Sequence, residues 1–225
     1  MAKRILTREL YLIRHGESFC NIEGFKAETF IDKHDPELTE NGICQAKKLG
    51  EYHKNVDYDY IFCSPLRRAA MTAVEFLGDR NQPLYAMPDL CEIGVSPEYE
   101  GVSYDELKKY SPRIVPAKEY EECTRTAVPD ETPRENEERY FERAKRVLDY
   151  IDRYFTKGEK IALVSHAGFL TYIIFYLFGY RDKEPNYDMK ISNTGVTKIS
   201  FYEPGTNPNG DVIFDYVNDT SHLVK

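Results

Sequence analysis

Excess positive charge is missing from this sequence: 30 Lys+Arg stand against 38 Asp+Glu, a formal net charge of −8 over 225 residues. A nucleic-acid scaffold needs clustered cations that displace counterions from phosphates, so that class is excluded. Small anions stay open as ligands, because a few arginines create a local cationic pocket within an acidic protein. Cysteine is sparse and poorly spaced for cross-links. Cys20, Cys44, Cys63, Cys91 and Cys123 are odd in number and form no C-x-x-C pair. Neither a disulfide framework nor a zinc site is expected, and the reading is reduced thiols in a cytoplasmic protein. No Asp/His cluster has metal-ligand spacing. Met1–Glu9 carries Lys3, Arg4 and Arg8 but lacks the apolar stretch of a signal peptide. The apolar run Ile161–Gly179 approaches transmembrane length, yet Ser165, His166 and Gly168 interrupt it near its start. It is expected to be a buried strand running into a buried helix of a soluble protein with no membrane partner.

What is present is enough apolar surface for a large core: 41% hydrophobic and 13% aromatic residues exclude wholesale disorder. With no internal repeat or low-complexity tract, residues 1–225 are expected to form one domain. Strands are predicted at Leu10–Ile13, Tyr60–Cys63, Pro83–Met87, Ile161–Val164, Val196–Phe201 and Val212–Tyr216. Helices are predicted from Thr39 to about Lys54, over Arg67–Leu77, from about Glu135 to Phe155, and over Phe169–Phe178. Strands alternating with helices imply a three-layer α/β/α sandwich around a mainly parallel sheet. Pro97, Pro112, Pro116, Pro129 and Pro133 interrupt the pattern, and residues 93–133 are read as an inserted lid with short helices. His34, His53 and His222 have no motif around them and are expected at the surface. The cysteines are expected to be inert packing.

In parallel sheets, ligands bind beyond the carboxyl ends of the strands. Three predicted strand ends carry polar groups: Arg14-His15, Ser64 with Arg67 and Arg68 beyond it, and Ser165-His166. If they converge, two guanidinium groups make bidentate contacts to a phosphoryl group. A neutral imidazole between them can attack phosphorus and split one transfer into two easier steps. The leaving alkoxide needs a proton, for which Glu92 is a candidate donor.

The segment Leu12-Ile13-Arg14-His15-Gly16-Glu17-Ser18, with Asn21, resembles the signature of the histidine phosphatase superfamily, the phosphoglycerate-mutase-like fold. Further matches follow in the family's order. They are Leu38-Thr39-Glu40-Asn41-Gly42 with Gln45-Ala46, Ser64-Pro65-Leu66-Arg67-Arg68-Ala69, Glu92 with Glu100-Gly101, and Val164-Ser165-His166-Ala167-Gly168. The resemblance runs from about Leu10 to Tyr202. It implies His15 as nucleophile, a phosphate pocket of Arg14, Arg68 and His166, and Glu92 as proton donor and later base. It also implies a phosphate contact from Asn21, Ser18 at the entrance, and a phosphate contact from the Ala167 N–H. The arginine of the family's second motif falls on Arg68, with Arg67 as the alternative. The segment after Glu92 departs from the family: it is one residue longer, and Ser96 stands where a Gly is usual. Asp89 and Glu98 are therefore reserve acids.

What the resemblance implies is an enzyme without a cofactor or metal, hydrolysing a small phosphorylated metabolite through a phosphohistidine. A phosphoglycerate mutase is the alternative. The mutase branch tends to carry Glu-Arg and a Tyr-Gly pair at the acid segment, where this chain has Glu92-Ile93-Gly94-Val95. A protein-phosphohistidine phosphatase and a non-catalytic phospho-ligand-binding module are further alternatives.

Overall fold

Period-two alternation along Leu6–Arg14 (β1) turns Leu10 and Leu12 to one face and Tyr11 and Ile13 to the other, all buried. A strand apolar on both faces must lie inside a sheet covered on both sides. The same two-sided burial recurs in Tyr60–Cys63 (β2) and Glu159–Ser165 (β5). The computed structural model describes residues 4–25, 35–95, 99–123, 137–183, 186 and 189–224. Its other strands are Leu84–Ala86 (β3), Ile114–Pro116 (β4), Val196–Tyr202 (β6) and Val212–Asp219 (β7). The helices are Glu40–Tyr52 (α1), Arg67–Leu77 (α2), Tyr104–Leu107 (α3), Glu137–Tyr154 (α4) and Ala167–Leu177 (α5).

The seven-stranded sheet has the order β4-β3-β2-β5-β1-β6-β7. It is parallel from β4 to β1, while β6 runs antiparallel to both β1 and β7. Leu10, Leu12, Ile161 and Leu163 pack with α4 and α5 on one face. Tyr11, Ile13, Ala162 and Val164 pack with α1 and α2 on the other. The result is the expected three-layer sandwich, with β2, β5 and β1 adjacent, so that Ser64, His166 and His15 leave the same edge of the sheet. The apolar run at 161–179 divides as expected into β5 and the buried α5. No helix among the described residues is long and apolar enough to cross a membrane.

Within residues 93–133 the described part holds one short helix, as expected, and also an unexpected strand. Ile114–Pro116 pairs in parallel with β3 as the edge strand of the sheet, and Val102, Leu107 and Ile114 join the core beneath it. At this edge Pro116 is tolerated because an edge strand leaves one row of backbone groups unpaired. Its three-residue length hid it in the sequence. Residues 124–133 of the expected lid, with Ser96, Pro97, Glu98 and His34, lie outside the described residues.

The loop after β1 is clamped by α1. Thr39 caps the helix, accepting from the Gly42 N–H at 3.0 Å, while its hydroxyl donates to Glu17 Oε1 at 2.7 Å. The Glu17 N–H donates to Gln45 Oε1 at 2.8 Å, and Asn41 Nδ2 donates to Glu17 Oε2 at 3.1 Å. Backbone meets backbone here, for a Cβ on Gly42 would lie 1.9 Å from the Glu17 carbonyl oxygen. Gly42→Ala should therefore push the loop away from α1 and cost about 1–3 kcal/mol, the usual range for overpacking. Urea denaturation would show this as a lower midpoint at unchanged m-value.

Candidate active site

Adjacent strand ends bring the imidazoles together. His15 follows β1, its N–H donating to the Ser165 carbonyl at 2.9 Å, and His166 follows β5. Their ring centroids are 5.1 Å apart and both side chains are buried. Nδ1 of His15 lies 2.7 Å from the Gly16 carbonyl oxygen. A carbonyl only accepts, so Nδ1 carries the proton and the Nε2 lone pair is exposed to attack an electrophile. Nε2 of His166 lies 2.8 Å from Ser64 Oγ. Ser64 already accepts from the Leu66 N–H at 3.2 Å, and its alternative acceptor is Cys91 Sγ at 3.8 Å. A ring nitrogen accepts better than a thiol, so the Ser64 hydroxyl donates to Nε2 and the proton of His166 sits on Nδ1.

Around these rings stand Arg14 and Arg68. Arg14 Nη1 donates to the Ile191 carbonyl at 2.7 Å, and Arg68 Nη1 lies 3.4 Å from Asp35 Oδ1. Burial first, then the charges of Arg68 and Arg14, hold His15 well below its usual pKa, against the opposing Gly16 hydrogen bond. Burial, Arg68, His15, Arg143 and Arg14 do the same to His166. Both imidazoles are neutral at pH 7. Among the described residues, Arg14 Nε, Arg68 Nε and His166 Nδ1 are buried donors without a hydrogen-bond partner. Buried polar groups are rarely left unsatisfied, so these donors form an arrangement suited to an anion.

Arg68, not Arg67, faces the imidazoles. Arg67 is the first residue of α2 and gives its backbone N–H to Asp35, at 2.9 and 3.0 Å to the two carboxylate oxygens. Asp35 is fully buried and also accepts from Tyr99 Oη at 2.7 Å. It anchors both α2 and Arg68. Sequence reasoning missed it, since nothing near residue 35 marks it and its partners lie 32 and more positions away.

Glu92 occupies the N-terminus of α5. Its Oε1 accepts from the N–H groups of Ile93 and Phe169, both at 2.9 Å, and its Oε2 from Gly168 at 3.4 Å. Negative charge there is favoured by the helix dipole. A Cβ on Gly168 would lie 2.7 Å from Glu92 Oε1, so glycine is what admits the carboxylate. Glu92 does not bond to the Ala167 N–H, which precedes these. Arg143 holds the other side of the segment, donating to the Cys91 carbonyl at 2.7 Å with its guanidinium 4.3 Å from the Phe169 ring centre. Its signal in the sequence is a charge among Tyr140, Ala144 and Val147 on the apolar stripe of α4. The reserve acid Asp89 is engaged elsewhere, in contacts of 2.9 and 3.1 Å with Arg146 and 2.8 Å with Tyr120 Oη.

Asn21 and Ser18 sit in the short turn after His15. Ser18 is buried, and its hydroxyl and N–H both donate to Asn21 Oδ1, at 3.2 and 3.1 Å. Asn193 Nδ2 donates to Asn21 Oδ1 at 3.2 Å and to the His15 carbonyl at 3.0 Å. The Thr194 N–H reaches the Arg14 carbonyl at 3.1 Å, from a left-handed φ of 55°. Thr194 Oγ1 donates to the Asn193 carbonyl at 2.7 Å and accepts from His222 Nε2 at 2.8 Å. His222 is thus buried in a chain that ends on the Arg14-His15 backbone, and not at the surface as expected. His53 is buried too, bonded to Tyr58 Oη at 2.6 Å. Both corrections have one cause: an isolated histidine in sequence gives no sign of a distant hydroxyl. Of the cysteines, only Cys63 and Cys91 are packing, the rest being exposed.

Known proteins resemble this chain along most of its length. The family model of the histidine phosphatase superfamily (branch 1) matches residues 10–209. A 5''-phosphoribostamycin phosphatase of Niallia circulans is 30% identical over 226 residues, covering 95% of this chain and 97% of that protein. The adenosylcobalamin/alpha-ribazole phosphatase of Salmonella typhimurium is 30% identical over 172 residues, 73% of this chain and 77% of that one. The crystal structure of a phosphoserine phosphatase mutant from Entamoeba histolytica, in complex with phosphoserine, superposes with a TM-score of 0.63 at 26% identity, covering 96% and 100% of the two chains. Phosphoglycerate mutases also occur among the relatives.

Four buried histidines with lowered pKa set the acid response. His53 is pushed down to about 4 by burial, then His222 and Arg80, and burial also lowers His222. Below the ordinary value of 6.5 the unfolded chain binds protons that the folded chain refuses. Stability is therefore complete above pH 6.5 and falls as pH falls, by about 1.4 kcal/mol per pH unit for each proton taken up. Urea midpoints measured between pH 7.5 and 5.5 should decline, and His53→Gln should remove about one proton from the slope.

Proposed function

Because the chain belongs to the histidine phosphatase superfamily, we propose that it is a metal-independent phosphomonoesterase that hydrolyses a small phosphorylated metabolite through a phosphohistidine on His15. The observation that carries this reading is a neutral imidazole with a free Nε2 lone pair beside two guanidinium groups whose buried Nε donors lack partners. Arg14, Arg68 and His166 bind the nonbridging phosphoryl oxygens, assisted by the Asn21 amide and the Ala167 N–H, while Ser18, expected at the entrance, is buried and holds Asn21 Oδ1 instead. Their fixed positive field supplies the electrostatic stabilisation that phosphoryl transfer requires.

His15 Nε2 attacks phosphorus, the P–O bond to the leaving alcohol breaks, and that oxygen takes a proton from Glu92. A carboxylate has about four lone-pair sites. The Ile93 and Phe169 amides use both on Oε1 and Gly168 uses one on Oε2, so Oε2 is the oxygen that carries the proton. In the second step Glu92 takes a proton from water, the water oxygen attacks phosphorus, and the P–N bond breaks with its electrons returning to Nε2. A mutase would need cationic side chains for a substrate carboxylate, whereas Ile93 and Gly94 follow Glu92. The buried thiols Cys63 and Cys91 fit a cytoplasmic setting.

Glu92→Gln tests the mechanism. Phosphorylation by alkyl phosphates, whose leaving oxygen needs the proton, should slow roughly 10²–10⁴-fold. Reaction with p-nitrophenyl phosphate should slow much less and give a burst as phospho-His15 accumulates, detectable after acid-free quenching and absent in His15→Ala. Equal losses with both substrates would assign Glu92 to capping α5 alone. No phosphohistidine with any substrate would favour a non-catalytic binding module.

A further inference from the structure

Beyond the phosphate-binding groups lies a cleft of about 310 Å³ whose walls come from three segments: Ile93, the first turn and a half of α5 from Ala167 to Tyr172, and Met189–Ile191. Each wall is joined to a group of the site. Ile93 follows Glu92 and gives its N–H to that carboxylate at 2.9 Å. Ala167 follows His166 in the chain, and the Ile191 carbonyl accepts from Arg14 Nη1 at 2.7 Å. These joins put the cleft next to the groups proposed to hold the phosphoryl group, on the side of Glu92 and Ala167.

The lining is chemically one-sided. Ile93 and Met189 pack against the core cluster that contains Ile191 and Tyr172. The Thr171 hydroxyl spends its proton on the Ala167 carbonyl at 2.9 Å. Lys190 is the only charged residue among the described lining residues, and it is exposed, where solvent screens its pull on an anion. A carboxylate or ammonium entering between Ile93, Met189 and Ile191 meets apolar side chains, and among the described lining residues its one charged neighbour is the exposed Lys190. The volume lies at the lower end of the range for small-molecule pockets, room for a ring-sized group.

Resting on the phosphatase reading, we infer that this cleft is the leaving-group site and that it selects phosphomonoesters of uncharged, largely apolar alcohols, with Ile93, Met189 and Ile191 as the specificity-determining residues. Amino-acid and hydroxy-acid phosphates are disfavoured by the same surfaces.

The test uses n-alkyl monophosphates from methyl to hexyl, whose alkoxides differ little in basicity, so that chain length reports contact and not chemistry. Burying a methylene corresponds to a two- to fourfold rise in kcat/KM per added carbon until the cleft is filled. Butyl phosphate should exceed O-phosphoserine and 3-phosphoglycerate by tenfold or more. Met189→Asp should flatten the series, and a variant slope as steep as wild type would overturn the assignment of Met189. Calorimetric affinities of n-alkylphosphonates for the wild-type protein supply a readout that needs neither turnover nor a variant. Hydrolysis with a flat chain-length profile, or phosphoserine ahead of butyl phosphate, would overturn the cleft and keep the phosphatase. Phosphonate affinity that rises with chain length without hydrolysis of any monoester would instead retain the cleft and overturn the phosphatase.

Discussion

Like charges held close together in a buried place are the constraint around which this molecule is organised. Arg14 and Arg68 both lower the pKa of His15 and of His166, which means that all four groups feel one another directly. Burying an uncompensated ion costs about several kcal/mol even after relaxation, so each cation needs an anchor that does not consume its donors. Asp35 serves Arg68 and the Ile191 carbonyl serves Arg14. Neither reaches the Nε atoms. The repulsion is offset enough to fold, and the residual positive field is what a phosphoryl group would relieve.

The turn after His15 is held from two sides. Gly42 against the Glu17 carbonyl fixes the turn after His15 from one side, and Asn193 with Thr194 fixes it from the other. Glu92 is fixed by the helix that His166 begins. Its carboxylate caps α5, while Arg143 secures the Cys91 carbonyl. One consequence is a coupling of roles: the group assigned to proton transfer also satisfies the first turn of the helix. In the proposed reaction, proton movement at Oε2 would leave both bonds at Oε1 in place, so that the helix would keep its cap.

The apolar cleft extends the same economy of parts. The residues next to Glu92, His166 and the Arg14 acceptor are those that line it, so displacement of the phosphate-binding groups and of the cleft walls would occur together. Proteins similar to this chain carry names as different as phosphoserine phosphatase and phosphoribostamycin phosphatase. In the proposed reading the chemistry belongs to the strand ends and the organic part of the substrate to other side chains, as expected where one fold hosts many substrates.

How much of this was legible in the sequence follows from the range of the interactions. Arg14-His15, Ser64 and Ser165-His166 stand where buried apolar runs stop, and a two-sided apolar strand can only lie within a covered sheet, so the strand ends, the layers and the grouping of the histidines follow from local pattern. The choice of Arg68 over Arg67 and the segment around Gly42 come from the family resemblance, since helix geometry asks only that one of two adjacent arginines face the site. Asp35 beside Arg68, Ser64 beside His166, Glu92 on the α5 amides and His222 behind Thr194 are separated by 33, 102, 77 and 28 positions. A hydrogen bond closes over a few ångströms whatever the chain distance, and no periodicity encodes its partner. The sequence marked the groups proposed for the chemistry; tertiary structure alone decided which nitrogen of each imidazole is protonated, which arginine donors stay available, and which side chains line the neighbouring cleft.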